Sequence, residues 1–99
     1  KINSISIIGT VNGNWDTDTD MTYNPQTGAW EVNTTLTDGA MKFRANHDWA
    51  LSWGGANGDP EAYDNLTHDN GKDLDVKAGT YTVQLFISYE GNNRVVLKK

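Results

Sequence analysis

Alternating apolar and polar residues predict an all-β chain. In the segment 41–46, apolar and polar residues alternate at every position. The apolar positions of this segment are Met41, Phe43 and Ala45, and the polar positions are Lys42, Arg44 and Asn46. Because successive side chains of a strand point to opposite faces, the segment predicts a strand with one face in a core and the other in solvent.

The same period of two predicts further short strands along the chain. They cover residues 4–9, 21–23, 29–36, 74–76 and 80–87, and a last one runs through Val95 and Leu97. Turn signals rich in Gly, Asn, Asp or Pro stand between them at 24–28, 38–39 and 91–93. The tight Asp38-Gly39 signal predicts that 29–36 and 40–46 pair as a hairpin.

Two stretches without a sustained period predict loops. The first, 12–14, carries Trp15, and the second, 49–72, is a long excursion rich in Gly, Asn and Asp. No segment predicts a helix longer than one turn. Roughly seven to eight short strands with regular turn signals predict an immunoglobulin-like antiparallel β-sandwich. The chain has no cysteine, so it lacks the Cys-Trp-Cys framework of antibody domains.

Length and charge narrow the classes of function. A chain of 99 residues builds one module, 1–99, and its first residue, Lys1, suggests a segment of a longer multi-domain protein, secreted or at the cell surface. The formal charge is −5 and the basic residues are scattered, which argues against nucleic acid or anionic lipid as a partner. No segment is apolar enough to cross a bilayer. A neutral ligand is favoured.

The aromatic residues suggest what this ligand is. Four Trp and four Tyr exceed what a small core needs, and Trp15 and Trp49 both stand among polar residues. An indole ring covers the apolar C–H face of a pyranose, and Lys42, Arg44 and Asn46 would bind its hydroxyl groups. In the alternative interpretation, the cations only solvate the sheet and the two indoles cap an open end of the sandwich.

The other two tryptophans favour structural roles. Trp30 is in phase with Val32 and Leu36, which predicts core packing. Trp53 precedes the paired glycines at 54–55, which are typical of a close backbone approach, although Trp53 could also widen an aromatic platform together with Tyr63.

No metal or cofactor is predicted. Three aspartates in 16–20 are spaced as at the opening of a calcium loop, but Met21 stands where that loop needs glycine and Thr27 where it needs glutamate. A solvated acidic loop or an irregular calcium site remain as interpretations. His47 and His68 lack neighbouring ligands for zinc.

Catalysis is not predicted. A sandwich of this size offers no deep cleft in which a carboxyl group could become an acid or base. The serines lack the Gly-x-Ser-x-Gly context of a nucleophile.

A series of motifs runs through nearly the whole chain. They are the early Trp15, Gly-x-Trp at 28–30, Gly-x-Met-Lys-Phe-Arg at 39–44, Asn-x-x-Trp at 46–49, Trp-Gly-Gly at 53–55 and Ala-Gly-Thr-Tyr-Thr-Val at 78–83. Their order resembles the starch-binding domains of SusE and SusF, the outer-membrane starch-utilisation lipoproteins of Bacteroides-type bacteria. It is more distantly similar to glycogen-binding modules.

This resemblance implies a non-catalytic module that binds starch, an α-1,4-glucan, at the cell surface. The family's binding positions match Trp15, Lys42 and Trp49, whereas Arg44 and Asn46 follow from the strand pattern. Expected partners are maltooligosaccharides and neighbouring glycan-uptake proteins, with membrane attachment through an anchor outside this segment. The alternatives are a ligand-free spacer or protein-interaction domain, and an accessory domain of a pullulanase or branching-type enzyme.

Overall fold

The protein is an all-β sandwich of two antiparallel sheets, as predicted. The structure, a computed structural model, describes residues 1–56, 63–69, 71–88 and 92–99. Its strands are β1 (Ile5–Gly9), β2 (Asn14–Asp20), β3 (Thr22–Asn24), β4 (Ala29–Leu36), β5 (Gly39–Ala45), β6 (Asp48–Gly55), β7 (Leu66–His68), β8 (Leu74–Val76), β9 (Gly79–Phe86) and β10 (Arg94–Lys98). A single-turn 3₁₀ helix covers Thr10–Asn12. The described residues thus form ten strands, more than the seven to eight predicted.

The two sheets differ in size. The larger sheet has the order β2-β1-β5-β6-β7, with β8 paired to one end of β5, and the smaller has the order β10-β9-β4-β3. Their facing surfaces enclose one hydrophobic core. No helix in the described ranges is long and apolar enough to cross a membrane.

Strand β5 confirms the alternation read from the sequence. Met41, Phe43 and Ala45 are buried, whereas Lys42 and Arg44 lie on the outer face of the larger sheet and are partly exposed. The alternation of burial along β9 is equally regular. Strands β3 and β4 form an antiparallel hairpin around the turn signal at 24–28.

The predicted pairing of 29–36 with 40–46 is wrong. Strand β4 pairs with β3 and β9, whereas β5 pairs with β1, β6 and β8. The Asp38-Gly39 signal marks a crossing between the sheets, where the Ala78 backbone N–H donates to Asp38 Oδ1 at 2.6 Å. Both strands have an apolar face, and a sandwich buries these faces against each other across the core rather than side by side.

The long excursion predicted from 49 onward is interrupted by strands β6 and β7. Asn46 and His47 have left-handed backbone, with φ of 57° and 54°, and form a two-residue turn that sends the chain straight back along β5. The close approach predicted after Trp53 is confirmed, because a Cβ on Gly54 would lie 2.5 Å from the carbonyl oxygen of Lys72. Residues 57–62 and 70 of this stretch, and position 91 of the turn predicted at 91–93, lie outside the described residues.

Candidate functional site

Two tryptophans meet on the larger sheet. Trp49, the second residue of β6, is 43% exposed. Its ring centroid lies 6.1 Å from that of Trp15, and the two ring planes are inclined by 44°. Trp15 itself is partly buried. The loop predicted at 12–14 is present as a tight turn of Thr10–Asn12 and Gly13, but its placement of Trp15 is wrong, since Trp15 lies in β2.

Two cations from β5 lie beside the Trp49 ring. Lys42 Nζ is 5.2 Å from the ring centroid, and Arg44 Cζ is 5.1 Å from it. Both distances are within the range of cation–π attraction. Gly54 on the neighbouring strand leaves room for the Lys42 chain, because a Cβ there would lie 3.2 Å from Lys42 Cε.

The Arg44 guanidinium is fixed by an acidic residue of β2. Arg44 Nε donates to Asp18 Oδ2 at 2.9 Å and Nη2 donates to Oδ1 at 2.5 Å. The side chains of both residues are only 12% exposed. The Ser6 hydroxyl also donates to Asp18 Oδ2. Since this pairing uses two of the five guanidinium N–H groups, the others remain as donors in a fixed plane.

The ion pair shifts the ionisation of both partners. The hydrogen bonds from Arg44 hold the pKa of Asp18 below its usual value, against an opposing contribution from burial. The same hydrogen bonds raise the pKa of Arg44. The pair is therefore ionised at neutral pH and presents a rigid set of donors and acceptors beside Trp49.

The Asp18→Asn variant is expected to lose stability at neutral pH. It leaves the Arg44 guanidinium without its charged partner, at a cost of about 1–3 kcal/mol in the free energy of unfolding. Because the pKa of Asp18 is lower in the folded than in the unfolded protein, its stabilisation is fully present above about pH 4 and disappears as the pH falls through the folded-state pKa. The free energies of unfolding of wild type and variant should therefore converge in acid.

Urea denaturation of both proteins between pH 7 and pH 2 measures this difference. Asp16→Asn is the matched control, because Asp16 lies on the same strand, is exposed and makes no side-chain hydrogen bond to Arg44 in the described structure. A stability difference between wild type and Asp18→Asn that stayed constant down to pH 2 would contradict the assigned pairing.

Asn46 does not extend the outer face of β5, contrary to the prediction. It lies in the turn between β5 and β6, where its side-chain oxygen accepts from the backbone N–H groups of Asn3 and Ser4 at 2.7 and 3.2 Å. Its amide nitrogen donates to the carbonyl of Lys1 at 2.8 Å. Because of the left-handed turn, the Asn46 side chain does not follow the alternation of the strand. The amide group of Asn46 instead binds the N-terminal segment.

The predicted acidic loop at 16–20 is also a strand, since the segment belongs to β2 and pairs with β1. Two of its three aspartates contact basic groups: Asp18 binds Arg44, and Asp20 Oδ1 lies 2.6 Å from His47 Nε2. The hydrogen bond with Asp20 raises the pKa of His47. Among the described residues, no group of three or more His, Cys, Asp or Glu side chains could hold a metal ion.

The remaining tryptophans are structural. Trp53 is only 3% exposed and belongs to the core, and Trp30 packs against the core from the smaller sheet. Tyr63 also packs against the core, and its hydroxyl donates to the carbonyl of Asp75. A platform of Trp53 and Tyr63 is therefore ruled out by the burial of Trp53.

Comparison with family models, with curated proteins and with solved structures finds no match to this chain. The resemblance to SusE and SusF domains thus stays a prediction from sequence motifs. These contacts bring together one group of side chains, which we call the Trp49 platform: Trp15, Trp49, Lys42 and the Arg44–Asp18 pair. Its chemistry combines an exposed ring, the cation of Lys42, and an Arg44 guanidinium fixed by a carboxylate.

Proposed function

We propose that this chain is a non-catalytic module that binds α-1,4-glucan through the Trp49 platform. The observation that supports the proposal best is the exposure of Trp49, 43%, next to Trp15 and two cations. The two neighbouring rings form a contiguous aromatic surface, and a contiguous exposed apolar patch is typical of a binding site. Charged groups around it favour a ligand rich in hydroxyl groups over an apolar one.

The two rings would stack on neighbouring glucose units. Their planes are inclined by 44°, so together they form a shallow V rather than a flat surface. An α-1,4-linked chain curves, and successive pyranose faces can follow such an angle, whereas a flat β-1,4-linked chain cannot contact both rings equally. Lys42 and the unused N–H groups of Arg44 would donate to sugar hydroxyls, and Asp18 would accept from one.

An open platform of this kind gives modest affinity. Each stacked ring should contribute about 1–2 kcal/mol through buried apolar area and ring contact. With a few solvent-exposed hydrogen bonds, the dissociation constant falls between about 1 μM and 1 mM. Several such modules in one protein would bind a polymer more tightly by avidity. A weak module of this type suits retention of starch at a cell surface beside glycan-uptake proteins, which is the location we propose.

Titration with defined oligosaccharides tests the proposal. We expect maltoheptaose to shift or quench tryptophan emission and to saturate between about 1 μM and 1 mM. Cellohexaose, which has β-1,4 linkages, should bind at least several-fold more weakly. Isothermal calorimetry on the same samples checks that the optical change reports binding. Absence of heat and of emission change with maltoheptaose at about 10 mM would refute glucan binding, since this exceeds the weakest expected dissociation constant.

A protein-interaction surface is the second candidate. Tryptophan and arginine are the residues most enriched at the energetic centres of protein interfaces, and Trp49 and Arg44 are in contact here. In that case no soluble glucan would bind.

An accessory domain of a pullulanase or branching-type enzyme would keep both the fold and the ligand. The sequence that flanks this chain in the full protein would distinguish such a domain from a module of a surface glycan-binding protein.

A further inference from the structure

Trp49 lies on a part of β6 that leaves the regular ladder with β5. Arg44 pairs with Ser52, whereas the next residue of β5 pairs with Asp48, so residues 49–51 are skipped in the register. Such a bulge interrupts strand pairing and changes the direction of the side chains. The position of the Trp49 ring therefore depends on the turn before it and on side-chain contacts.

The turn before Trp49 has a backbone conformation that residues other than glycine seldom adopt. Asn46 and His47 are both left-handed, with φ of 57° and 54°. Such residues persist where surrounding contacts hold them in place. The Asn46 side chain is bound to the N-terminal segment, and His47 has a contact of its own.

His47 is bound to the strand that carries the other ring of the platform. Its Nε2 lies 2.6 Å from Oδ1 of Asp20, the last residue of β2, and Trp15 is on the same strand. The Arg44–Asp18 pair joins β2 to β5, and the His47–Asp20 contact joins β2 to the turn that follows β5. The second contact thus connects the turn that leads into Trp49 with the strand of Trp15.

The His47–Asp20 contact is an ion pair only when the imidazole is protonated. The hydrogen bond with Asp20, and the charge of that carboxylate, raise the pKa of His47. A neutral imidazole donates from Nε2 in only one of its two tautomers and has no charge, so its bond to the carboxylate is weaker. The contact therefore weakens as the pH rises through the pKa of His47.

Other charged groups surround His47. Asp18 on β2 also raises the pKa of His47, and Arg44 on β5 lowers it. Asp48, at the start of β6, accepts from a backbone N–H of its own strand, and the N-terminal segment brings Lys1 to the turn. In general, carboxylate, guanidinium and lysine side chains keep their charges between about pH 5.5 and 8.5, whereas histidine titrates there. The charge that changes in this range is therefore that of His47.

We propose that His47 is a positioning residue of the Trp49 platform: in its protonated form it binds Asp20, holds the turn that places Trp49 beside Trp15, and thereby strengthens glucan binding at mildly acidic pH. The ligand rests on the function proposed above, whereas the positioning can be measured on the free protein. The His47 and Asp20 side chains are 50% and 61% exposed, and exposed ion pairs contribute little. The expected gain in affinity is therefore only about two- to fivefold.

Two measurements between about pH 5.5 and 8.5 test the inference. In the free protein, the NOE between the Trp15 and Trp49 rings should weaken with rising pH, with the midpoint of the His47 ring signals. In calorimetric titrations with maltoheptaose, the dissociation constant should be about two- to fivefold larger at the upper end of this range. Because binding and protonation are linked, maltoheptaose should in turn raise the pKa of His47.

Four variants assign the pH dependence to this pair. His47→Gln and Asp20→Asn remove the ion pair, so both should bind at every pH about as weakly as wild type does at the upper end of the range. His47→Lys keeps a positive charge throughout and should retain the affinity that wild type has at the lower end. His68→Gln is the matched control, because it changes the other histidine, which lies on β7 beside Asp69, and it should leave the pH dependence unchanged.

The outcomes separate the positioning role from the proposed function. Equal affinities for maltoheptaose at both ends of the range, or a pH dependence that persists in His47→Gln, would overturn the inference and leave the proposed function standing. A ring NOE that follows the titration of His47 in wild type but not in Asp20→Asn, together with no binding of maltoheptaose at either pH, would support the positioning role and overturn glucan binding.

Discussion

Trp49→Ala is expected to weaken the binding of maltoheptaose at the Trp49 platform about 5- to 30-fold. The substitution removes a ring contact of about 1–2 kcal/mol, and each 1.4 kcal/mol corresponds to about tenfold in affinity. It also removes the ring that Lys42 Nζ approaches at 5.2 Å, so Lys42 loses this contact, whereas Arg44 stays bound to Asp18. Because Trp49 is 43% exposed, the fold should tolerate its loss.

Calorimetric titration of the variant measures this effect, and two further variants control it. Trp49→Phe keeps an aromatic face and should lose only part of the affinity. Phe86→Ala removes a different aromatic residue that also lies under a cation, with Arg94 Cζ 3.9 Å from the Phe86 ring centroid. Binding to Phe86→Ala should equal that of wild type. Unchanged affinity in a folded Trp49→Ala variant would mean that the platform does not bind the glucan.

Phe43→Ala is expected to have the largest effect on stability, a loss of about 3–5 kcal/mol in the free energy of unfolding. Phe43 is fully buried and lies between Ile7 and Trp53 in the larger sheet. Its removal leaves a cavity that the surrounding strands cannot fill. A domain of this size has about 5–15 kcal/mol in total, so the variant should unfold at a much lower urea concentration.

Phe86→Ala again provides the control, because it makes the same chemical change at a partly exposed position. It should cost about 1–2 kcal/mol, through lost apolar contact and the lost cation–π pair. Urea denaturation monitored by circular dichroism compares the two variants. Equal losses of stability would contradict the assignment of Phe43 to the core and Phe86 to the outer face.

The positions of the strands were predictable from the sequence wherever one face of the strand is buried and the other is exposed to solvent. Alternation located β5 and β9 because both strands satisfy this condition along their length. It failed for β6, where the buried positions run consecutively from Ser52 to Gly55 and, apart from Trp53, carry small residues. Lys72 passes close to Gly54 and Gly55, which buries the second face of the strand there. A strand covered on both faces gives no period of two.

Strand pairing was less predictable, because it depends on contacts between distant parts of the chain. The Asp38-Gly39 signal has the composition of a hairpin turn, yet the hydrogen bond from Ala78 and the close contact of Gly39 with Thr10 place it between the sheets. Local residue preferences describe such a turn equally well in either setting. Only the partners contributed by other strands decide between them.

The candidate site was also predictable only in part. Polar surroundings identified Trp15 and Trp49, and the strand alternation put Lys42 and Arg44 on the outer face. The Asp18–Arg44 pair could not be found in this way, because it forms only when β1 pairs with both β2 and β5. For Asn46, two consecutive left-handed residues end the strand one position earlier than the alternation suggests.

The indole N–H signals of the four tryptophans test the central claim most directly. In a ¹⁵N-labelled sample titrated with maltoheptaose, the signals of Trp15 and Trp49 should shift with the same dissociation constant. Those of Trp53, in the core, and of Trp30, on the other sheet, serve as internal references and should move little at concentrations that saturate the platform. If the Trp15 and Trp49 signals stay in place while the sugar reaches about 10 mM, the proposed glucan-binding surface does not exist.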